Sequence, residues 1–317
     1  MQTKIVRLSF LGPVHFGEGR LTDSGYTCDA STLFSALFIE ALHTGMQDEL
    51  LAAAREGGLL LSDAFPYIGE TLYLPKPMVS PETFETSHTK GDAQTELSNS
   101  RERKANKKLS YVPALVYKDY FAGRFDALSE LERFNLGVSS LQTKVNLLRK
   151  ESLDAEPYAV GTFSFAPHAG IYFMMRDELG VVPLLESLSY SGLGGKRTSG
   201  YGRFTFNTED VDPTDFTAGT TSQSTGSKTQ VLLSTSIPRE DELNGALLDG
   251  ARYRLVRRGG FAQSVTSSDT LRKKRDMYLF AAGSTFAKRF EGDVFDVNTN
   301  PRGHPVYRYA KSMWMEV

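Results

Sequence analysis

Fourteen residues near the middle of the chain combine bare backbone with positive charge. The stretch SGLGGKRTSGYGRF, residues 191–204, holds five glycines, three Lys/Arg side chains and one tyrosine. Glycines let a ligand approach backbone N–H groups without a Cβ in the way, and cations attract phosphates. The sequence therefore predicts an anion-binding loop here.

Two well-known phosphate-binding fingerprints do not fit this loop. A P-loop requires Gly-x4-Gly-Lys-Ser/Thr, but Tyr190 occupies the position of the first glycine. A dinucleotide fingerprint requires Gly-x-Gly-x-x-Gly, and after Gly192 and Gly194 the last place is taken by Arg197. The loop belongs to neither class, so its meaning depends on the rest of the chain.

Three further stretches supply basic residues, two of them interleaved with aromatic rings. They contribute Arg252, Arg254, Arg257, Arg258, Gly259, Gly260 and Phe261 in RYRLVRRGGF, Lys144, Asn146 and Arg149 in KVNLLRK, and Tyr307 and Arg308 in VYRYAK. Alternation predicts Arg252 and Arg254 on one face of a strand and Tyr253 on the other. Any one stretch alone is better explained as a solvated strand face. Together with the glycine loop they favour a groove for single-stranded nucleic acid, with cations on phosphates and rings on bases.

The histidines and the single cysteine define no catalytic or metal site by their spacing. No HExxH or comparable pattern occurs among the five histidines, so neither a metal nor a cofactor is expected. Cys28 alone excludes an internal disulfide framework. His15, in PVHFGEG, is either a loop histidine without chemistry, a ring that stacks on a base, or a general base toward a ribose 2′-hydroxyl.

The chain is long enough for two domains, and its charge is unevenly distributed. The chain has 317 residues, of which 40% are apolar and 23% charged, values typical of a globular protein. The net charge of −2 is unevenly distributed. Residues 1–75 carry −5 and residues 206–227 carry −4, whereas residues 76–205 carry +2 and residues 228–317 carry +5. An anionic partner would meet the middle and C-terminal parts, and the acidic N-terminal part is a candidate surface for a basic protein.

The first domain, 1–206, shows α+β patterning. KIVRLSF (4–10) predicts a half-buried strand, and TLFSALFIEALH (32–43) predicts a buried helix. Ser31 is its expected N-cap and Gly45 its expected stop. The remaining elements are a hairpin of 156–165 with 169–176, a helix over 183–191 and a strand over 201–206. The glycine loop therefore connects a helix to a strand.

The second domain, 229–317, follows a predicted linker at 207–228 that is rich in Thr, Ser, Gly and Asp. Its expected elements are a strand at 230–237, a helix at 239–248, and strands within 251–261, 276–286 and 305–311. In the first domain, residues 82–110 have almost no large apolar side chains and carry RERKANKK, so we expect an exposed loop or protruding hairpin.

Targeting signals are not evident in the sequence. No run of eighteen apolar residues occurs, and MQTKIVRLSF has a strand pattern rather than that of a signal peptide. We therefore expect a cytoplasmic location and no membrane partner.

The glycine loop and its flanking elements resemble those of the RAMP superfamily of CRISPR proteins. LGPVHFGEGRL followed by DASTLFSALFIEAL, GGF before LRKKRDMYLFAAGSTF, and the terminal HPVYRYAKSMWMEV resemble one family within it, the fourth subunits of Csm (type III-A) effector complexes. The similarity covers nearly the whole chain. The loop by itself would indicate only the superfamily.

This resemblance implies two ferredoxin-like (RRM-like) domains and no nuclease activity of the chain's own. It implies a subunit that holds the repeat-derived 5′ handle of crRNA, beside the large polymerase-like subunit and the first backbone RAMP subunit. Residues 82–110 would be a thumb-like insertion that wedges into the guide–target duplex and so reaches target RNA.

The resemblance also assigns RNA contacts to three loops. These are His15, Phe16 and Gly17; Gly192, Gly194, Gly195, Lys196, Arg197, Thr198, Ser199, Gly200, Tyr201 and Gly202; and Arg257, Arg258, Gly259, Gly260 and Phe261. The contacts of Lys144, Asn146 and Arg149 are assigned from charge alone.

Two alternatives to a non-catalytic RNA-binding subunit remain open. One is a metal-independent crRNA-processing endoribonuclease, with His15 as base and Lys196 or Arg197 stabilising the phosphorane. The other is a structural scaffold whose basic patches meet acidic protein neighbours.

Overall fold

The computed structural model describes residues 2–79, 93–146, 156–211, 229–262, 272–300 and 303–317. Within these ranges the helices are α1 (Ala30–Thr44), α2 (Gln47–Glu56), α3 (Ala93–Lys108), α4 (Tyr117–Phe121), α5 (Ala127–Arg133), α6 (Val182–Ser191) and α7 (Gly245–Leu248). The strands up to the glycine loop are β1 (Thr3–Phe10), β2 (Phe16–Gly17), β3 (Ser24–Gly25), β4 (Leu59–Leu61), β5 (Phe65–Ile68), β6 (Thr71–Pro75), β7 (Tyr111–Pro113), β8 (Gly137–Asn146), β9 (Glu156–Phe165) and β10 (Ala169–Asp177). Those after it are β11 (Phe204–Val211), β12 (Gln230–Leu232), β13 (Leu255–Arg258), β14 (Phe261–Ala262), β15 (Arg272–Lys273), β16 (Met277–Phe280), β17 (Thr285–Phe286), β18 (Val294–Asp296), β19 (Tyr307–Tyr309) and β20 (Trp314–Glu316).

An antiparallel sheet of order β11-β1-β10-β5-β6-β7 organises the N-terminal half, and β4 also pairs with β10. Both faces of this sheet are covered. On one face Val6 and Leu8 pack with residues of α1 and α6, and on the other Ile5 packs with Val231 and Met315 of the C-terminal half. The predicted first strand is therefore confirmed. Its second face is buried at Ile5, because the C-terminal half covers it there, and is exposed at Ser9.

Helix α1 confirms the predicted helix but begins at a different cap. The side chain of Asp29, not Ser31, accepts a hydrogen bond from the Thr32 amide at 2.8 Å. Gly45 ends the helix in the left-handed conformation, with φ of 78°, as expected for a glycine stop. Helix α6 likewise confirms the helix predicted before the glycine loop.

Strand β9 pairs along its whole length with β8, not with β10. Both edges of β10 are occupied, by β1 on one side and by β4 and β5 on the other. The predicted hairpin of 156–165 with 169–176 is therefore wrong. The strands β8 and β9 instead form a separate two-stranded ribbon, hereafter the β8–β9 ribbon.

The predicted exposed segment 82–110 is helical over α3, whereas residues 82–92 lie outside the described residues. Ala105 is buried, and the Glu102 carboxylate accepts a hydrogen bond from the Ala127 amide at 2.7 Å. The Lys76 ammonium donates to the Asn106 carbonyl. The prediction of a loop or protruding hairpin is therefore wrong for 93–108. The contacts of Ala105 and of a few polar side chains are enough to dock this helix against the rest of the chain.

The C-terminal half consists of a three-stranded sheet, β17-β12-β20, and several two-stranded ribbons. Its core contains Leu232, Phe280, Phe286 and Phe290. The helix predicted over 239–248 is limited to α7, because the Asn244 side chain starts a helix there by accepting from the Leu247 amide. Strand β11 continues to Val211, which removes 207–211 from the predicted linker; residues 212–228 lie outside the described residues.

Candidate nucleic-acid interface

A cleft of about 1880 Å³ runs between the two halves of the chain. Its walls include the loop after β1, the start of the glycine loop, helix α3 and the β13–β15 region. Ten Lys/Arg residues line it against four Asp/Glu residues. A cleft with this excess of cations concentrates anions and favours an extended polyanion.

The glycine loop is held by the chain's own backbone. The Leu193 amide donates to the Gly202 carbonyl at 2.9 Å, and the Gly195 amide donates to the His15 carbonyl at 2.8 Å. Added Cβ atoms would lie 2.7 Å from the Tyr201 carbonyl at Gly192 and 2.8 Å from the His15 carbonyl at Gly194. These two glycines therefore let the loop pack closely against the chain's own backbone. Gly202 does the same where it contacts the backbone of Leu193.

Gly200 differs from the other glycines of the loop. No atom of the described residues lies within 4 Å of a Cβ built there, and its φ is 84°. A 3-10 helix, Arg197–Ser199, immediately precedes it. Thr198 and Ser199 are exposed on this turn, so this part of the loop is open to a ligand.

His15 links the first loop to the β8–β9 ribbon. Its side chain is buried, and Nδ1 lies 2.7 Å from the carbonyl oxygen of Gly161. Because a carbonyl only accepts, Nδ1 carries the proton and Nε2 of the neutral ring is an acceptor. Nε2 faces Gly17, whose added Cβ would lie 3.4 Å away. His15 thus fixes the loop and presents a basic nitrogen near the cleft wall.

Two lysine–tyrosine contacts join the glycine loop to the ribbon. The Lys196 ammonium lies 4.8 Å from the ring centroid of Tyr158, and the Lys144 ammonium lies 5.0 Å from that of Tyr201. The Tyr201 hydroxyl donates to the Gln142 side chain. Cation–π contacts of this kind hold lysines in place while leaving their charge available.

The arginines of the C-terminal half are held by acids of both halves. Arg257 donates to the Asp276 carboxylate at 2.6 Å, and Arg258 donates to the Asp29 carboxylate at 2.7 Å. Asp29 also caps α1, so one carboxylate fixes a helix end and an arginine across the cleft. Phe261 beside them remains 60% exposed and is free to stack on a base.

A second carboxylate joins the halves at the floor of the cleft. Asp63 accepts hydrogen bonds from the amides of Ala30 and Thr235, each at 2.8 Å, and from the Thr235 hydroxyl at 2.6 Å. Burial, with a smaller contribution from the charge of Asp29, raises the pKa of Asp63 to about 6. These contacts tie the start of α1 to the C-terminal half.

The cleft brings together most of the predicted contact residues. Those that line it are His15, Phe16, Gly17, Gly192, Gly194, Gly195, Arg197, Arg254, Arg257, Arg258, Gly259, Gly260, Phe261, Tyr307 and Arg308. Among the residues with described side chains, those outside its lining are Lys144, Lys196, Thr198, Ser199, Gly200, Tyr201, Gly202 and Arg252. The side chain of Asn146 is not among those described. Arg149 lies outside the described residues.

Arg252 and Arg254 do not share a strand face as predicted. Strand β13 begins at Leu255, and the backbone of Arg252 instead bridges to Thr285. Tyr253 packs edge-on to Phe280, with ring centroids 4.7 Å apart. Packing of this tyrosine onto the C-terminal core therefore overrides the alternating pattern.

Several residues of the interface were not singled out from the sequence. Lys76, Arg103, Lys107 and Lys274 also line the cleft. The clusters of basic residues in RERKANKK and LRKK were the sequence signal that could have indicated Arg103, Lys107 and Lys274. The contact of Tyr158 with Lys196 depends on a strand pairing that no local pattern shows.

The described part of the chain contains neither a metal-binding cluster nor a helix that could span a membrane. Among the described residues, no group of three or more His, Cys, Asp or Glu side chains is placed to hold a metal ion. In the part of the chain that is described, every helix is too short or too polar to cross a membrane.

Comparison with known proteins identifies close relatives. Residues 225–317 match the family described as the CRISPR Csm4 C-terminal domain. The chain is 36% identical over 321 residues to CRISPR system Cms protein Csm4 of Mycobacterium tuberculosis (strain ATCC 25618 / H37Rv), covering 99% of this chain and 98% of that protein. It is 34% identical over 305 residues to the protein of the same name from Streptococcus thermophilus, covering 96% and 95%.

Solved structures show the same fold. The Csm4-like chain in the crystal structure of a Csm1-Csm4 cassette in complex with pppApA superposes with a TM-score of 0.60 at 19% identity, covering 99% of this chain and 97% of that one. The chain in the crystal structure of the Csm3-Csm4 subcomplex of the type III-A CRISPR-Cas interference complex gives a TM-score of 0.59 at 15% identity, covering 99% and 98%.

Proposed function

This chain belongs to the Csm4 family of type III CRISPR effector subunits, and we propose that it is the non-catalytic subunit that holds the repeat-derived 5′ handle of crRNA in a type III-A complex. The observation that carries the proposal is the cleft between the two halves. Its excess of cations and the exposed ring of Phe261 suit phosphates and bases of a single strand.

The elements around the cleft support a ferredoxin-like first domain. The chain order β1, α1, β4 and β5, β10, α6, β11 has the β-α-β-β-α-β pattern, and the strands lie in the order β11-β1-β10-β5. The glycine loop connects α6 to β11 at the edge of this sheet. The second ferredoxin-like domain stays a prediction, since its described strands are divided between a three-stranded sheet and separate ribbons.

The partners follow from the proteins that the solved neighbours contain. Their chains of this family are in complexes with Csm1 and with Csm3. We propose that this chain likewise bridges a large Csm1-type subunit and a Csm3-type backbone subunit. The acidic N-terminal residues 1–75, with a net charge of −5, offer a surface of opposite sign to a basic neighbour.

The β8–β9 ribbon is the better candidate for the thumb. It is a separate two-stranded element, and Val138, Leu141 and Val145 are 65%, 62% and 52% exposed. Exposed apolar side chains on such a ribbon suit insertion between stacked base pairs. We therefore assign contact with the guide–target duplex to this ribbon and not to residues 82–110.

The endoribonuclease alternative retains one favourable observation. The hydrogen bond to Gly161 leaves Nε2 of His15 as a base beside the glycine loop. Incubation of the chain with precursor crRNA in EDTA tests it. Specific cleavage that disappears in His15→Ala would replace the proposed function, and intact precursor in wild-type reactions would remove the alternative.

Binding of crRNA with an intact or a scrambled handle tests the proposed function itself. The account expects a preference for the intact handle and an affinity that falls with salt. Binding to the Csm1-type or Csm3-type partner without any handle preference would instead support a structural scaffold.

A further inference from the structure

Three cations meet at the bend between β13 and β14 in the wall of the cleft. Arg258, Lys274 and Arg308 all line the cleft around Gly259 and Gly260. The Lys274 amide donates to the Gly260 carbonyl at 2.8 Å, and the Arg308 guanidinium donates to the Gly259 carbonyl at 2.8 Å. The bend thus places both side chains at one point of the wall.

Among the described residues, the acids near this bend form a salt bridge with only one of the three cations, Arg258. Asp29 pairs with Arg258, and Asp276 pairs with Arg257 and, at 3.8 Å, with Lys273. Among the described residues, Lys274 forms no salt bridge. Among the described residues, Lys274 and Arg308 therefore have no carboxylate in direct contact; the charge of Asp29 acts on both, and that of Asp276 on Arg308, from beyond salt-bridge distance.

Arg308 is unusual because it is buried without being fully satisfied. Arg308 is only 5% exposed. Its Nε has no hydrogen-bond partner among the described atoms. Buried guanidinium groups are normally paired. Burial lowers the pKa of Lys274, and the charge of Arg308 lowers it further. An anion at this point would relieve both the desolvation and the mutual repulsion.

The neighbouring backbone also favours a close approach. Gly260 has φ of 108°, and nothing lies within 4 Å of a Cβ built there. Among the described residues, a phosphate could therefore reach the Gly260 backbone without meeting a side chain, whereas the Asp276 carboxylate occupies the position that a Cβ on Gly259 would take.

We propose that Lys274 and Arg308, with the Gly259-Gly260 bend, form a subsite for a single phosphodiester of the bound RNA. The proposal rests on the proposed function, since it places one linkage of the crRNA handle at this subsite. It makes Lys274 a binding residue of the cleft in addition to the arginines of β13.

The test uses the full chain together with its Csm1-type partner and a series of handle RNAs, each with one phosphodiester replaced by a neutral methylphosphonate. Lys274→Met removes the charge and keeps a long apolar side chain. Lys288→Met is the matched control, because Lys288 is exposed and does not line the cleft.

We expect Lys274→Met to weaken handle binding roughly tenfold and to lower the slope of log affinity against log salt by about 0.7. At one linkage the losses from the variant and from the methylphosphonate should not add, because both remove the same contact, whereas at other linkages they should add. Lys288→Met should leave both quantities unchanged. A melting curve verifies that each variant is folded.

Additive losses at every linkage, or identical binding by Lys274→Met and Lys288→Met, would overturn the subsite while leaving handle recognition by the wild type intact. If the wild type itself does not distinguish intact from scrambled handle RNA, the proposed function fails instead. The two failures are therefore separable in one set of titrations.

Discussion

The amide of Gly195 donates to the carbonyl of His15 at 2.8 Å, and a Cβ on Gly195 would lie only 2.8 Å from Cδ2 of the His15 ring. The glycine loop is thus packed against the first loop with no room for a side chain. His15 cannot easily move away, because its Nδ1 is bonded to Gly161. The shape of this edge of the cleft depends on this pair.

Gly195→Ala should disturb both loops. Because the ring of His15 blocks the new methyl group, we expect the free energy of unfolding to fall by about 1–3 kcal/mol. Handle affinity should fall as well. Gly12→Ala is the control, since nothing lies within 4 Å of its Cβ, and it should change stability by less than about 0.5 kcal/mol. Equal stability of the two variants in denaturant titrations would contradict the packing described here.

Asp29→Asn should strengthen RNA binding without disrupting α1. Asparagine keeps the oxygen that accepts from the Thr32 amide but removes the charge that holds Arg258. We expect handle affinity to rise roughly fivefold, equivalent to about 1 kcal/mol.

Asp29→Ala separates the two roles of this carboxylate. It makes the same change in charge but also loses the cap, so it should cost about 1 kcal/mol of folding stability. Weaker RNA binding by Asp29→Asn would show instead that the ion pair positions Arg258 for RNA.

Asp63 should make stability depend on pH in an unusual direction. Its pKa is raised from 3.8 to about 6, so the folded state binds the proton more tightly than the unfolded chain does. As pH falls from about 6 to about 4, the wild type should gain on the order of 3 kcal/mol relative to Asp63→Asn. Urea titrations of both proteins across this range measure the difference. A difference that stays constant, or that moves in the opposite direction, would contradict the buried-carboxylate account.

The double variant Leu141→Ser, Val145→Ser examines the β8–β9 ribbon. Both side chains are more than half exposed, so folding stability should change by less than about 0.5 kcal/mol. Handle binding should also be unchanged, whereas the assembled complex should bind target RNA several-fold more weakly. Unaltered target binding in filter assays would exclude the ribbon as the wedge.

Local sequence patterns were sufficient to predict the helices of the N-terminal half that flank the cleft or precede the glycine loop. Helix α1 and helix α6 follow from apolar spacing, and Gly45 marks a helix end. Pairing partners were not predictable in this way. β9 is rich in aromatic and branched residues, as is β10, but its partner β8 is chosen by which strand edges remain free.

The site was predictable in composition but not in geometry. The basic residues of the glycine loop and of β13 were recognisable, and most of them line one cleft. That Gly194 and Gly195 accommodate His15 rather than a ligand requires knowledge of what lies behind the loop. The pairing of Asp29 with Arg258, residues 229 positions apart, is likewise a product of the tertiary fold.

The most direct test of the central claim measures binding of the chain, with its Csm1-type partner, to crRNA carrying an intact or a scrambled 5′ handle. The double variant Lys196→Ala, Arg197→Ala is compared with Lys118→Ala, Lys288→Ala, which removes two charges away from the cleft lining. We predict a clear preference of the wild type for the intact handle, lost together with at least tenfold in affinity in the first variant and kept in the second. Equal binding of the wild type to both RNAs, or an unchanged preference in Lys196→Ala, Arg197→Ala, would contradict the account.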